Sequence, residues 1–148
     1  MKLDFRLAEP TTDSWSHADE EDFRYRVALG DLILEIGSKN FSTHWGWVPL
    51  IDLAASLRHI AKKLQHSGRT ETFEFTESES WLRFSRQGDQ VIITASYSPG
   101  EGQVEYARFV HAVKKLSKQL RDELLQRNSA LSQNPAFQRL LPEEDVTA

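Results

Sequence analysis

The chain contains no cysteine, and this absence excludes several kinds of chemistry at once. Disulfide bonds, thiolate nucleophiles and thiol redox centres all need cysteine, as do zinc and iron–sulfur sites built on thiolate ligands. Long apolar runs are also missing, because no stretch approaches the roughly 18 to 20 residues that a membrane-spanning helix needs. The first ten residues, MKLDFRLAEP, contain no hydrophobic signal segment. We therefore expect a cytoplasmic protein with no membrane association.

The common catalytic and cofactor-binding motifs are absent too. The chain has no Gly-x-Ser-x-Gly nucleophile motif and neither of the glycine-rich patterns that bind nucleotide phosphates. No His-Glu-x-x-His motif occurs, and the seven-residue interval between His59 and His66 is not the spacing of a metal-binding pair on adjacent helical turns. The sequence therefore predicts no metal, no cofactor and no catalytic residue. An enzyme stays open as an alternative, but no motif favours it.

The composition that is present is typical of a folded domain. Apolar residues make up 39% of the 148 residues and charged residues 27%, which is enough to build one core of ordinary size. We therefore expect a single domain over residues 1–148. The formal net charge of −4 disfavours nucleic-acid binding, which depends on neutralising phosphates with Lys and Arg. That alternative would have to use the basic faces of two predicted helices, through Arg58, Lys62, Lys114 and Lys118.

Alternating patterns predict strands in the first third of the chain. Leu3, Phe5 and Leu7 alternate with charged residues, as in a half-buried strand. A polar stretch at residues 9–21 predicts a surface loop. Residues 22–38 contain two alternating runs around Gly30-Asp31, a pair suited to a tight turn, and this predicts a hairpin in which Leu29 faces Leu32.

The rest of the chain alternates between helical and strand periods. Apolar residues spaced three and four apart predict a helix from Pro49 to Gln65 or His66, and a longer one over residues 104–126. Between them, residues 70–97 predict three strands, with Gly88-Asp89 as a turn that brings Phe84 opposite Ile93. The Pro and Gly of SPGEG, residues 98–102, predict the end of the sheet segment.

Together these elements predict an α+β fold in the order β-β-β-α-β-β-β-α. A mainly antiparallel sheet of about six strands would carry the two long amphipathic helices on one face. A C-terminal tail from about residue 128, with one short helix, would complete the chain.

Tryptophans and acidic residues provide the candidate binding residues. A tryptophan supplies large, rigid contact area at interfaces, and Trp15 and Trp45 lie in segments expected to be loops, whereas Trp47 precedes a helix and is expected in the core. The acidic stretch at residues 19–22 would attract a positively charged protein. The candidate interface residues are Trp15, Asp19, Glu20, Glu21, His44, Trp45 and Trp81.

The order of elements over residues 22–127 resembles that of uncharacterised bacterial α+β domains. The segments that carry the resemblance are an early hairpin followed by WVPLIDLAASL, FEFTESESWLRFSRQGDQVIITASY and YARFVHAVKKLSKQL. Some of these domains resemble immunity proteins of polymorphic and contact-dependent toxin systems. The resemblance implies a cytoplasmic, non-enzymatic protein that binds a protein partner, such as a toxin domain. It carries no functional residue over, because that group has no shared motif.

Two alternatives stay open beside a protein-binding module. One is a small-molecule-binding or enzymatic domain with a pocket between sheet and helices, lined by Tyr25, His44, Trp45 or Tyr97. The other is a homodimer formed through the free sheet face or an edge strand, which is compatible with any of these functions.

Overall fold

Two antiparallel sheets of four strands each form the β part of the molecule, in a computed structural model that describes residues 1–8, 13–76 and 78–143. The first sheet contains β1 (Lys2–Leu7), β2 (Leu29–Ile36), β3 (Lys39–Asn40) and β4 (Thr43–Pro49). The second contains β5 (Thr70–Glu74), β6 (Trp81–Gln87), β7 (Gln90–Ala95) and β8 (Ser98–Glu105). The helices of the described residues are α1 (Glu20–Tyr25), α2 (Leu50–Lys63), α3 (Tyr106–Arg127) and α4 (Pro135–Leu140), with 3-10 turns at Asp13–His17 and Ser129–Gln133.

The α+β class is therefore confirmed, but the single six-stranded sheet is wrong. In the first sheet, β2 is central and pairs with β1 on one side and with β3 and β4 on the other. The second sheet is a meander in which each strand pairs with the next along the chain. Part of the difference is β8, because the second sheet continues through SPGEG instead of ending there, and part is the first sheet, which gains β3 and β4.

The predicted hairpin at Gly30-Asp31 is also wrong. Both residues lie inside β2, where Gly30 pairs with Leu7 on one side and Val48 on the other. A Cβ atom on Gly30 would lie 2.0 Å from the carbonyl oxygen of Arg6, so this glycine permits a close approach of two strands and not a turn. The residues expected to form the first arm of the hairpin are helical up to Tyr25.

The stretch predicted as a loop at residues 9–21 contains the 3-10 turn and the start of α1, while residues 9–12 lie outside the described part. Asp19 caps α1: its carboxylate accepts from the Asp22 N–H at 2.8 Å, and the Asp22 carboxylate accepts from the Asp19 N–H at 3.3 Å. This reciprocal capping box stabilises the helix start and explains why the strand pattern failed here. Trp15, expected to be exposed, is only 9% exposed and packs in the core.

The two long helices and the β6–β7 hairpin are confirmed. Phe84 faces Ile93 and Leu82 faces Ala95 across that hairpin, and Gly88 takes a positive φ of 60° in the turn. The buried stripes of α2 and α3 pack against each other, and the two helices contact strands of both sheets. The core of the described residues therefore runs continuously between helices and sheets.

The segment after Arg127, expected to be a tail with one short helix, packs on the body of the protein as far as it is described. Leu131, Phe137 and Leu141 are fully buried, and the Asn134 side chain donates to the carbonyls of Ser16 and Ala18 at 3.0 and 2.9 Å. The short helix is confirmed as α4. Residues 144–148 lie outside the described part.

Candidate functional site

Four aromatic rings meet where the first sheet contacts one end of the second. Trp45 stacks on Trp47 with ring centroids 5.0 Å apart and an interplanar angle of 17°. Phe75 and Tyr97 are arranged edge-on to Trp45, with ring centroids 5.2 and 5.3 Å from the Trp45 centroid. Offset-stacked and edge-on arrangements of this kind are the favoured geometries of aromatic pairs. We call Trp45, Trp47, Phe75 and Tyr97 the aromatic cluster; its two tryptophans are half-buried.

A bulge in β4 positions the two tryptophans. The register between β2 and β4 shifts between the pairs Gly30–Val48 and Leu32–Thr43, so β4 contains extra residues there. Gly46 takes a φ of 79°, and its N–H donates to the Asp31 carboxylate at 2.7 Å. A bulge re-aims side chains, and it brings two tryptophans that are separated by one residue into a stack. Neither the bulge nor the stacking of the two rings was expected from the sequence, which placed Trp45 in a loop and Trp47 in the core.

His44 directly precedes Trp45 of the aromatic cluster, whereas Trp81 alternates with the buried Leu82 and so lies on the other face of the second sheet. The His44 side chain is 67% exposed, and its Nδ1 lies 3.9 Å from the Asp31 carboxylate. Trp81 exchanges two hydrogen bonds with Ser96, the neighbour of Tyr97, so it lies at the same end of the second sheet. The guanidinium of Arg83 stacks 4.1 Å over the Trp81 ring, which is a cation–π contact. Of the seven candidate residues, the structure thus places His44 and Trp45 together, whereas the Trp81 ring stacks with Arg83 on the other face of the second sheet.

The phenol of Tyr97 is a structural donor in this cluster. It donates to the Phe41 carbonyl at 2.6 Å. Burial raises the pKa of Tyr97, so the hydroxyl stays protonated and keeps its donor role at physiological pH. This contact fixes the edge of the aromatic cluster to the first sheet.

The other four candidate residues lie apart, on and beside α1. The Glu20 carboxylate lies 3.8 Å from both Arg24 and Arg139, and Glu21 lies 3.7 Å from Arg26. Asp19 is occupied as the helix cap, and Trp15 is buried. Because arginines lie next to these carboxylates, the acidic stretch produces a weaker negative field than its sequence indicates.

A polar cleft of about 800 Å³ lies between α2, β5 and the two short helices. Inside it, Arg24 donates to the Asp52 carboxylate at 2.6 Å, and Lys63 lies 3.6 Å from Glu71. Desolvation raises the pKa of Asp52, and hydrogen bonds from Arg24 and Ser56 oppose that rise without cancelling it.

One of the four residues proposed to line a pocket between sheet and helices borders the polar cleft, and the other three are not among the residues that line it. Tyr25 borders the polar cleft, His44 lies beside Asp31, and Trp45 packs against Tyr97. Within the described residues, no cluster of three or more His, Asp or Glu side chains is placed to hold a metal ion. The same residues include no helix that combines the length and apolar character needed to cross a membrane.

The fold and the site define an α+β protein with two antiparallel sheets and an aromatic cluster at their junction. No protein-family model matches the chain, and no curated protein or solved structure is significantly similar to it. Sequence reasoning missed Asp31 and Phe75 as parts of the site, and it named Tyr97 only as a possible lining residue of a ligand pocket. Gly46 between two tryptophans was the one local signal of a bulge, because glycine within a strand often marks one.

Proposed function

We propose that the protein is a non-enzymatic protein-binding module, and that the aromatic cluster with His44 forms the centre of its interface. The observation that carries the proposal is the bulge in β4, which holds two stacked tryptophans half-exposed at the surface. Tryptophan and tyrosine are enriched among the residues that dominate the energetics of protein interfaces, and both occur in the aromatic cluster. Their rings are fixed before binding by Asp31 and by edge contacts, so little conformational entropy is lost on association.

We further propose that the partner is a cytoplasmic toxin domain, as in immunity proteins. The support is the resemblance in the order of the elements from α2 to α3, since the early hairpin that was also part of it is not formed at Gly30-Asp31. Because the carboxylates of α1 have arginines as neighbours, recognition would rest on the aromatic surface and not on a strong acidic patch.

Site-specific photo-crosslinking in the native host tests this interface. A photoreactive amino acid replaces His44 in one variant and the exposed Lys118 of α3 in a matched control. We expect one stoichiometric protein partner to crosslink from position 44 and not from position 118. Asp31→Ala, which removes the acceptor of the Gly46 N–H, should reduce that crosslink, whereas Asp31→Asn keeps an acceptor oxygen and should reduce it less.

The outcomes separate the two parts of the proposal. Absence of a crosslinked partner, or the same crosslinks from both positions, contradicts the interface. Melting temperatures of both Asp31 variants show whether the fold is intact. A partner that is harmless when expressed without this protein contradicts the immunity role while leaving the binding role in place.

A further inference from the structure

A second concave surface, an apolar groove of about 530 Å³, runs between α2 and α3. Ala61 and Val113 are buried at its floor, and the half-buried Tyr106 and Val110 form its sides. The Tyr106 hydroxyl already donates to the Ala61 carbonyl at 2.6 Å, so the polar end of that ring is satisfied within the protein. The volume lies in the range of about 300–1,000 Å³ that is usual for ligand sites. The groove shares no residue with the aromatic cluster.

The rim of this groove is positively charged although the chain as a whole carries −4. Arg58 and Lys62 border it from α2 and Lys114 from α3, while Glu143 is the one carboxylate among its lining residues. In the described part of the chain, none of the three rim cations forms an ion pair. Two lysines nearby on the same helices do form ion pairs: Lys63 lies 3.6 Å from Glu71, and Lys118 lies 2.7 Å from Asp122.

We propose that this groove, with its apolar floor and a cationic rim that forms no ion pair among the described residues, is a docking site for a short acidic amphipathic helix of a protein partner. A helix laid along two packed helices buries its apolar side chains against the floor, in the known helix-in-groove mode of recognition. Carboxylates on either side of that apolar face then meet Arg58, Lys62 and Lys114, which is the electrostatic complementarity that sets orientation and partner choice. The proposal adds a second interface to the module and does not depend on the first.

A protein helix fits the groove better than a nucleic acid does. A phosphate backbone would use the cations but would leave the floor at Ala61, Val110 and Val113 unfilled. Nucleic-acid affinity also grows with the number of phosphates neutralised, and three rim cations supply few such contacts.

The test is selection from a displayed library of randomised helical peptides against the full-length protein. We expect the enriched peptides to carry apolar residues at spacings of three and four, flanked by Glu and Asp. The double variant Arg58→Glu with Lys114→Glu should weaken binding of an enriched peptide by about ten-fold or more, a loss that added salt reproduces in part. Lys118→Glu is the matched control on the same helix and should have little effect, and Val110→Glu should abolish binding by charging the floor.

Several results would overturn the proposal. Enriched peptides that are basic or lack an apolar stripe would do so, as would equal sensitivity to the rim and Lys118 variants. A fluorescent DNA duplex or a phosphatidylserine vesicle that outcompetes the peptide through the same residues would assign the groove to another ligand. Circular dichroism shows whether each variant is folded. If Val110→Glu does not fold, the variants of the rim cations still test the proposed docking site. Crosslinking at position 44 reports on the aromatic cluster separately, so failure of one interface is distinguishable from failure of the other.

Discussion

At the scale of single residues, Asp52 is a carboxyl group whose surroundings favour its neutral form. It lies in the first turn of α2, where a carboxylate normally gains from the helix dipole, yet its side chain is only 10% exposed. The sequence predicted the helix start and its nearby carboxylate, but not the burial. Burial arises because α1 and β5 close over the polar cleft, which is a tertiary effect with no local signal.

Asp52→Asn should therefore change the pH dependence of stability. With a folded-state pKa raised above the ordinary 3.8, the unfolded chain releases this proton first as pH increases, so the Asp52 contribution to the free energy of unfolding falls from about pH 3.8 up to the folded pKa and is constant above it. Asparagine does not titrate, so the variant lacks this pH-dependent fall in the free energy of unfolding. It keeps an acceptor for Arg24, whose side chain is 32% exposed and can be hydrated. We expect urea unfolding to show the variant gaining stability relative to the wild type from about pH 3 to about pH 7.

If the free energy of unfolding of the variant is lower than that of the wild type by the same amount at both ends of this pH range, that account is contradicted. That result would mean that the interactions with Arg24 and Ser56 balance desolvation, so that the pKa of Asp52 is not raised on folding.

At the scale of elements, the sequence predicted those segments in which one periodicity has one explanation. The stripes of α2 and α3 and the pairing of Phe84 with Ile93 follow from patterns that no other fold satisfies as well. The strand prediction for residues 20–31 was wrong because alternation at Tyr25, Val27 and Leu29 also suits a short helix followed by a turn into β2. The capping box at Asp19 decided between them.

The candidate site was also predicted only in part. Trp45 and Trp81 were identified by residue type, since tryptophan is suited to interfaces. The assembly of Trp45 with Phe75 and Tyr97 was not predictable, because it depends on contacts between two sheets that are distant in sequence. Trp15 was placed wrongly for a related reason: residues 129–141, expected to form a tail, contain buried residues that pack in the same core.

Gly30→Ala tests the position of this glycine inside β2. Its new Cβ would lie 2.0 Å from the Arg6 carbonyl oxygen, so the strands must separate, and we expect a loss of about 3 kcal/mol or more in the free energy of unfolding. Gly37→Ala is the matched control: it has a φ of 58° and no atom within 4 Å of the new Cβ, and should cost only about 1–2 kcal/mol of backbone strain. Urea denaturation measures both, and equal costs would favour a turn at Gly30 over a continuous strand.

At the scale of the whole molecule, the two sheets are joined by a small set of close contacts. Tyr97 donates to the Phe41 carbonyl at 2.6 Å, and Ser98 donates to the Asn40 carbonyl at 3.2 Å. Gly102 of β8 leaves room for Ile36 of β2, since a Cβ there would lie 2.9 Å from that side chain. Because α2 and α3 also contact both sheets, the core is shared, and we expect residues 1–148 to unfold as one cooperative domain.

Tyr97→Phe tests this cooperativity directly. The change removes the hydrogen bond between the sheets but keeps the ring in the aromatic cluster, so it should lower the free energy of unfolding by about 1–2 kcal/mol without changing the urea m value. Hydrogen exchange measured by NMR should show the most protected amides of β2 and of β7 losing protection by the same factor, because both exchange through global unfolding. Loss of protection confined to one sheet would make the sheets separate folding units and the single-domain prediction wrong. Equal loss would mean that a partner bound at the aromatic cluster, which contains residues from both sides of the junction, stabilises the entire chain and not one sheet.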